Sequence, residues 1–423
     1  MAKLHAEKEA RRELIARDRQ TQNARIDRIC EQDSEKNIVI SRRSYYTIVN
    51  THSKKCIEQG ASAMQYDERA LELIRALSDA PGASGFEDAV LSVVREAMGD
   101  RFVIEEDALR NLYLYRRRNT GDRPVIMLDA HSDEVGFMVH SIRPNGTLRV
   151  VNLGRWTNSA LPSSKVLVRN AEGRYIPGVF VSKPAHFSTA ADKVGGEVPI
   201  SALSVDIGAT SAGEAAEVFH IRMGEPIVPA TRFELDREHG LMFGKAFDCR
   251  LGCAAMLEVL RRVDGLDLPC DVVGVLSSQE EVGERGCRVS VSHVKPDLAI
   301  CFEGCPADDT FTEPYAIQTA LHKGPMFRHM DVSVICSPRL QRFVLDTAHE
   351  GGFAVQESVR EGGGNDAAII NTALLGIPAV TAGVPVRYIH SMNCIASYRD
   401  YEATAALITE LVRRITPEMI GTL

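Results

Sequence analysis

From Asp67 onward the chain alternates between two hydrophobic periods. DERALELIRALSDA carries apolar residues at helical spacing behind an acidic first turn, which predicts a helix over 67–80. PGASGFED reads as a turn and DAVLSVVREAM as a second helix, and the apolar runs FVIEED, NLYLYRR and PVIMLDAH then read as strands. The last of these is a buried strand that delivers His131, Asp133 and Glu134 at its C-terminal end. Over 136–241 the runs are short, alternate with period two and are punctuated by Gly, Pro and Asn. GFMVHSIRPNGTLRVVNLG, KVLVRNAEGRYIPGVFV and PISALSVDIGA therefore predict an all-β insertion of hairpins, with NG and EG at turns. After Gly244 helix and strand patterns alternate again, through the helix RLGCAAMLEVLRRV and the strands DVVGVLSS and PDLAICFEG. A helix around PRLQRFVLDTAHEGG, a strand FAVQESV, a helix-like DAAIINTALLG, a strand PAVTAG and a last helix DYEATAALITELVRRI complete the chain. Strands alternating with helices imply βαβ units, so the expected fold class is α/β: a mostly parallel-sheet domain over 66–135 and 242–423, interrupted by an all-β domain. No internal repeat is visible.

Residues 1–65 have a different texture. KLHAEKEARRELIARDRQTQNARIDRIC is dense in charge and helix formers with only a thin apolar stripe, the pattern of a solvent-exposed helix, a partner-binding arm or a disordered extension. Met64 lies just before the first well-patterned helix, so the segment is expected to be a dispensable tail or an artefact of start-site choice.

Composition narrows the class. Of 423 residues 44% are hydrophobic and 25% charged, enough to bury a large core, and the net charge of -8 argues against a nucleic-acid binder. No run of about 18 apolar residues is present, which argues against a membrane span, and the N-terminus lacks the apolar core of a secretory signal. The ten Cys are scattered without C-x-x-C spacing, several of them (Cys253, Cys270, Cys301) in apolar runs, as expected of reduced core residues in a cytoplasmic protein.

Ligands of open α/β sheets sit beyond the carboxyl ends of the strands, and five distant segments bring ionisable residues there. His131 and Asp133 follow PVIMLDA; Asp248 precedes a helix in GKAFDCRLG; Glu280 and Glu281 end VGVLSSQ; Glu303 ends LAICF; His390 follows PVRYI. Taken singly, a Glu pair is ordinarily a solvated turn, a lone His a satisfied structural residue, and Asp248 a helix cap. Taken together they form a borderline-hard N/O donor set suited to zinc, cobalt or manganese, with zinc or cobalt favoured by the imidazoles. Two divalent metal ions fit better than one, each with a His and a carboxylate of its own and a further carboxylate between them. Paired ions clamp a water and lower its pKa, and a carboxylate that is not a ligand must take its proton. Adjacent side chains at a strand end point different ways, so Glu280 and Glu281 offer that division of labour. Asp133 is spaced to hold the ring of His131 from behind.

AHSDEVGFMV, GKAFDCRLG, SSQEEVGERG, GGGNDAA and PVRYIHS, in that order, resemble the M42 family of metallo-aminopeptidases, which includes glutamyl aminopeptidases, TET-like enzymes and some proteins labelled endoglucanases. The resemblance covers about Tyr66 to the C-terminus. It implies one metal on His131, Asp248 and Glu303, a second on Asp248, Glu281 and His390, Glu280 as general base, and Asp133 behind the first His. It further implies that the insertion is a PA-like β-barrel dimerisation domain, which SVDIGATS resembles in part, in a homo-oligomer between dimer and dodecamer. Ser132, Cys249, Glu303 and Asn365 depart from the residues usual in the family (Met, Asp or Asn, Asp, and Thr), but none of these departures removes a ligand or the base.

The expected activity is removal of N-terminal residues from short peptide substrates. A metal-dependent deacylase, a glycosidase and a non-catalytic scaffold are the rival readings, and the two His argue against the glycosidase, which needs two carboxylates and no metal. The Gly-rich turn before the helix at 366–376 is expected near the substrate, with Gly364, Asn365 and Asp366 as candidate contacts. Arg387 and Arg250 are candidates for holding a carboxylate or carbonyl, with pairing to nearby acids the alternative for each. His322 and the Glu284–Arg285 pair read as structural and solvated.

Overall fold

Helix α1 (Glu68–Asp79) begins where Asp67 caps it: the Asp67 carboxylate accepts the backbone N–H groups of Arg69 at 3.0 Å and Ala70 at 3.4 Å. Its apolar stripe buries Leu71, Ile74 and Leu77. A computed structural model of the chain describes residues 65–183, 186 and 198–423, so the charged opening segment and the expectations attached to it lie outside the described residues.

Helix α2 (Asp88–Met98), β1 (Phe102–Glu106), β2 (Leu112–Arg116) and β3 (Val125–His131) follow as predicted. The chain then enters a closed six-stranded barrel made of β4 (Gly136–Ile142), β5 (Leu148–Leu153), β6 (Lys165–Arg169), β7 (Tyr175–Phe180), β8 (Val205–Asp206) and β9 (Pro226–Pro229). Alternate residues fill it, among them Phe137, Val139, Leu148, Val150, Val166, Val168, Phe180 and Ile227, which is why the segment shows period two. The insertion is not wholly β: α3 (Ala212–Glu217) is capped by the Ser211 hydroxyl, which accepts the N–H of Glu214 at 3.2 Å.

Strands β10 (Glu234–Asp236) and β11 (Leu241–Gly244) pair in the large sheet rather than in the barrel, so the barrel strands end at Pro229, short of the expected boundary at 241. Helix α4 (Phe247–Val263), β12 (Asp271–Ser277), α5 (Arg285–Val294), β13 (Leu298–Pro306), β14 (Met326–Met330), α6 (Pro338–Glu350), β15 (Gln356–Val359), α7 (Ala367–Thr372), β16 (Ala379–Arg387), β17 (Cys394–Ser397), α8 (Tyr398–Arg414) and α9 (Pro417–Ile420) complete the domain. Helix α5 was not foreseen. RGCRVSVSHV is rich in β-branched residues and serine, yet it buries Cys287 and Val291 against the sheet on a helical stripe.

The sheet has eleven strands, and its spine runs β1-β2-β12-β3-β13-β16-β17-β11-β10. Its central block is parallel: β12, β3, β13 and β16 run together, β2 and β17 join that block antiparallel on either side, and β14 branches antiparallel from β16 with β15 parallel to it. The sheet is therefore mixed rather than mostly parallel. The parallel block is also the most buried part. Every residue of β12 is buried, and α4 packs across β13 and β3 with α1 and α8 behind it.

Candidate metal centre

The parallel block delivers the expected residues to one rim. His131 is the last residue of β3 and lies in register with Ser277, the last of β12, so Glu280 and Glu281 emerge beside it. Glu303 lies near the end of β13, opposite Gly383 of β16, and His390 follows β16 with a positive φ of 54°. Asp248 sits in the first turn of α4 with extended torsions (φ -86°, ψ 108°) and a cis peptide to Cys249. Its carboxylate does not cap the helix.

Instead it lies between the two imidazoles. Asp248 Oδ1 is 3.2 Å from His131 Nε2 and Asp248 Oδ2 is 3.3 Å from His390 Nε2. On one side Glu303 Oε2 is 3.7 Å from His131 Nε2; on the other Glu281 Oε1 is 3.4 Å from His390 Nε2. Two donor groups thus share one carboxylate. Within each of the sets His131–Asp248–Cys249–Glu303 and Asp248–Glu281–His390, the donor atoms all lie within 4.8 Å of one another. The Oε1 of Glu281 and the Nδ1 of His131 are buried without a hydrogen-bond partner. Converging N and O donors with an orphaned carboxylate oxygen fit a pair of divalent cations.

Asp133 ties this arrangement together. Its Oδ1 lies 3.4 Å from His131 Nδ1 and accepts the Glu280 N–H at 2.9 Å; its Oδ2 accepts the Glu281 N–H at 3.2 Å and the Ser84 hydroxyl at 2.6 Å. One buried carboxylate thereby lies against the imidazole and pins the turn carrying both Glu. Ser84 was missed because its role depends on a contact 49 residues away.

Carboxylates outnumber imidazoles in the site. Burial pushes the Glu280 carboxyl well above its ordinary range, with the neighbouring charge of Glu281 adding to it and that of His131 opposing. Glu303 is pushed up to about 7, again by burial first. Burial works against a charged His390, but Glu281 and Asp248 outweigh it and raise that imidazole to about 11. His131 moves the same way against its own burial, under Glu280, Asp133, Asp248 and Glu303. Asp248 is also buried, yet its hydrogen bonds to both imidazoles hold it below the usual carboxylate range. The surplus of carboxylate is what divalent cations neutralise.

A cavity of about 380 Å³ opens over these groups. Its walls bring in residues the sequence did not single out for it: Arg155 from the barrel, Arg328 from β14, and Arg360. Arg328 sits in MFRHM, a short apolar run interrupted by a cation, which is the one signal that could have marked it. Glu284 also lines the cavity, whereas Arg285 is exposed as expected.

Of the four proposed substrate contacts only Gly364 lines the cavity. Asn365 is buried beneath it, bonding Asp331 at 3.2 Å and Thr381 at 3.1 Å. Asp366 is likewise buried and accepts the Ser277 hydroxyl at 2.8 Å. Arg387 is held by Asp309 at 2.8 and 2.6 Å, so its guanidinium is spent on a partner outside the cavity. Arg250 is structural too, clamping the carbonyls of Leu77, Ala80 and Gly82. His322 does not line the cavity; its backbone N–H bonds Asp400.

A profile of the M42 glutamyl aminopeptidase family matches residues 111–407. The chain belongs to the M42 family. It is accordingly an aminopeptidase of the metallopeptidase class. Among M42 relatives, the glutamyl aminopeptidase of Lactococcus lactis subsp. cremoris is 33% identical over 350 residues, which span 82% of this chain and 97% of that one. A TET aminopeptidase from a marine sediment archaeon of the Thaumarchaeota superposes with a TM-score of 0.80 at 34% identity, covering 84% of this chain and 99% of that one. The TET1 peptidase of Pyrococcus horikoshii, described as assembling into a tetrahedron or a large octahedral shell, gives a TM-score of 0.74 at 27% identity, with 82% and 100% covered. Among the described residues no helix is long and apolar enough to cross a membrane.

Proposed function

We propose that this aminopeptidase removes N-terminal residues from short peptides with two divalent cations per subunit, zinc or cobalt. His131, Asp248 and Glu303 would hold one, and Asp248, Glu281 and His390 the other. The observation that carries this reading is the position of Asp248, one oxygen toward each imidazole at 3.2 and 3.3 Å, with a further carboxylate on either side. When bound, such a pair supplies Lewis acidity, polarising the scissile carbonyl and making the attacking water more acidic.

The remaining work falls to the protein. Glu280 lines the cavity with its side chain mostly buried, and its raised proton affinity suits it to take the proton of the attacking water and return it to the leaving amine. Asp133 is the group that keeps the His131 ring oriented and pins the Glu280–Glu281 turn. Arg155 adds positive charge to the cavity wall, where Arg328 and Arg360 are already paired with Asp331 and Asp308, and it supports a preference for an acidic first residue, the class named in the Lactococcus relative. The barrel is the candidate surface for pairing with a second copy, in line with the assembly described for the Pyrococcus relative.

Chelation followed by zinc or cobalt re-addition, assayed on glutamyl-, lysyl- and leucyl-nitroanilides, tests this. Activity should vanish and return with metal, strongest on the glutamyl substrate. Turnover that survives full chelation would overturn the metal mechanism, and fully loaded protein inert on every peptide would favour a scaffold.

A further inference from the structure

The residue after Asp248 is a cysteine where the family usually has Asp or Asn, and it is wholly buried. Its Sγ is one of four donor atoms, with those of His131, Asp248 and Glu303, that all lie within 4.8 Å of one another. Donors gathered on one tetrahedral cation stand on the order of 3.5 Å apart, so a shift of about an ångström would bring the sulfur into such a set. Gly252 makes room for it: a β-carbon there would collide with Cys249 Sγ and lie 3.1 Å from the Glu303 nitrogen. The glycine thus leaves open the slot between α4 and β13 that the sulfur fills. The thiol donates to the Phe302 carbonyl at 3.1 Å, immediately before Glu303. The nearby Cys253 is spent differently, donating to the His131 carbonyl at 3.0 Å, and is not one of the four.

We propose that Cys249 supplies a sulfur donor to the first cation position, adding a soft ligand to His131, Asp248 and Glu303 and turning that position toward thiophilic cations, zinc and cadmium before manganese. The inference rests on the reading that those three residues hold a cation. On binding, the S–H bond breaks, a metal–sulfur bond forms, and the proton now donated to Phe302 passes to solvent. Soft donors select zinc-like ions where an all-oxygen and imidazole set discriminates less.

The test uses the full chain, reduced and stripped with chelator, then titrated with cobalt or cadmium alone. Wild type and Cys253→Ser should develop the near-ultraviolet sulfur-to-metal charge-transfer band, and Cys249→Ser should lack it. Cys249→Ser should also release one proton fewer per chain and lose about tenfold or more of its preference for zinc over manganese. Wild-type protein that binds two cobalt ions without a charge-transfer band overturns the role of Cys249 while leaving the three-residue site intact. Failure to bind cobalt at all overturns both readings. Absence of the band from the wild type overturns the proposal even if the variants fold poorly.

Discussion

A β-carbon on Gly304 would lie 2.8 Å from the Cα of Asp248 and would collide with the Phe247 carbonyl. Strand β13 thus presses its bare backbone against the turn that presents the shared carboxylate. Because the obstacle is main chain, no rotamer change relieves it. Gly304→Ala should move Asp248 and weaken both cation positions together, with about 1–3 kcal/mol of fold stability lost. Titration calorimetry with zinc and a thermal melt on the same sample check this; loss of one site alone would contradict a shared ligand.

Glu280→Gln keeps the shape of the side chain and removes its capacity to carry a proton. Turnover should fall by about 10²–10⁴-fold while bound metal stays at wild-type level. Metal analysis beside steady-state kinetics separates the outcomes, since loss of metal in this variant would mean that the roles of Glu280 and Glu281 are exchanged.

Asp133→Asn leaves an amide that can accept at only one of its two heavy atoms. One of the Glu280 and Glu281 N–H groups, or the Ser84 hydroxyl, then loses its acceptor. Metal affinity or activity should drop by roughly 10–100-fold. Ser84→Ala, which removes a single hydrogen bond, should cost about 1 kcal/mol of stability and far less activity.

Away from the site, Asp400 sets a pH dependence. Burial pushes its carboxyl up to about 6, against the backbone N–H groups of Gly324 and His322. A carboxyl raised in the folded state binds its proton more tightly there than in the unfolded chain. Its contribution is therefore complete below about pH 4 and is lost as the pH rises through about 6. Relative to wild type, Asp400→Asn should flatten the fall in stability across that window, a slope of at most roughly 1.4 kcal/mol per pH unit. Urea melts at intervals from pH 4 to 7 measure it; parallel curves would refute the assignment.

How much of this was legible beforehand follows from which interactions are local. His131, Glu280 and Glu303 each end an apolar run, so the rule that ligands gather at carboxyl ends of parallel strands was enough to bring them together. Strand direction is not written in an apolar run, and β2 joins β12 although about 160 residues separate them, so the antiparallel flanks went unseen. Helix α5 was hidden because its β-branched content opposes the tertiary packing that decides it. Asn365, Asp366 and Arg387 sat in the right stretches of chain, but their partners, Asp331, Ser277 and Asp309, come from elsewhere in the fold and turn them from the cavity.

The chain leaves the sheet for the barrel after β3, with β4 beginning five residues past His131, and it regains the sheet at β10, well ahead of Asp248. The outgoing splice point therefore abuts the centre of the site, while Arg155 reaches the cavity from the inserted module. Such an arrangement separates two rates of evolutionary change. The sheet rim can stay fixed while substitutions, insertions or swaps within the barrel retune what the cavity admits, so divergence of substrate preference among descendants of this chain is expected to concentrate in the inserted module.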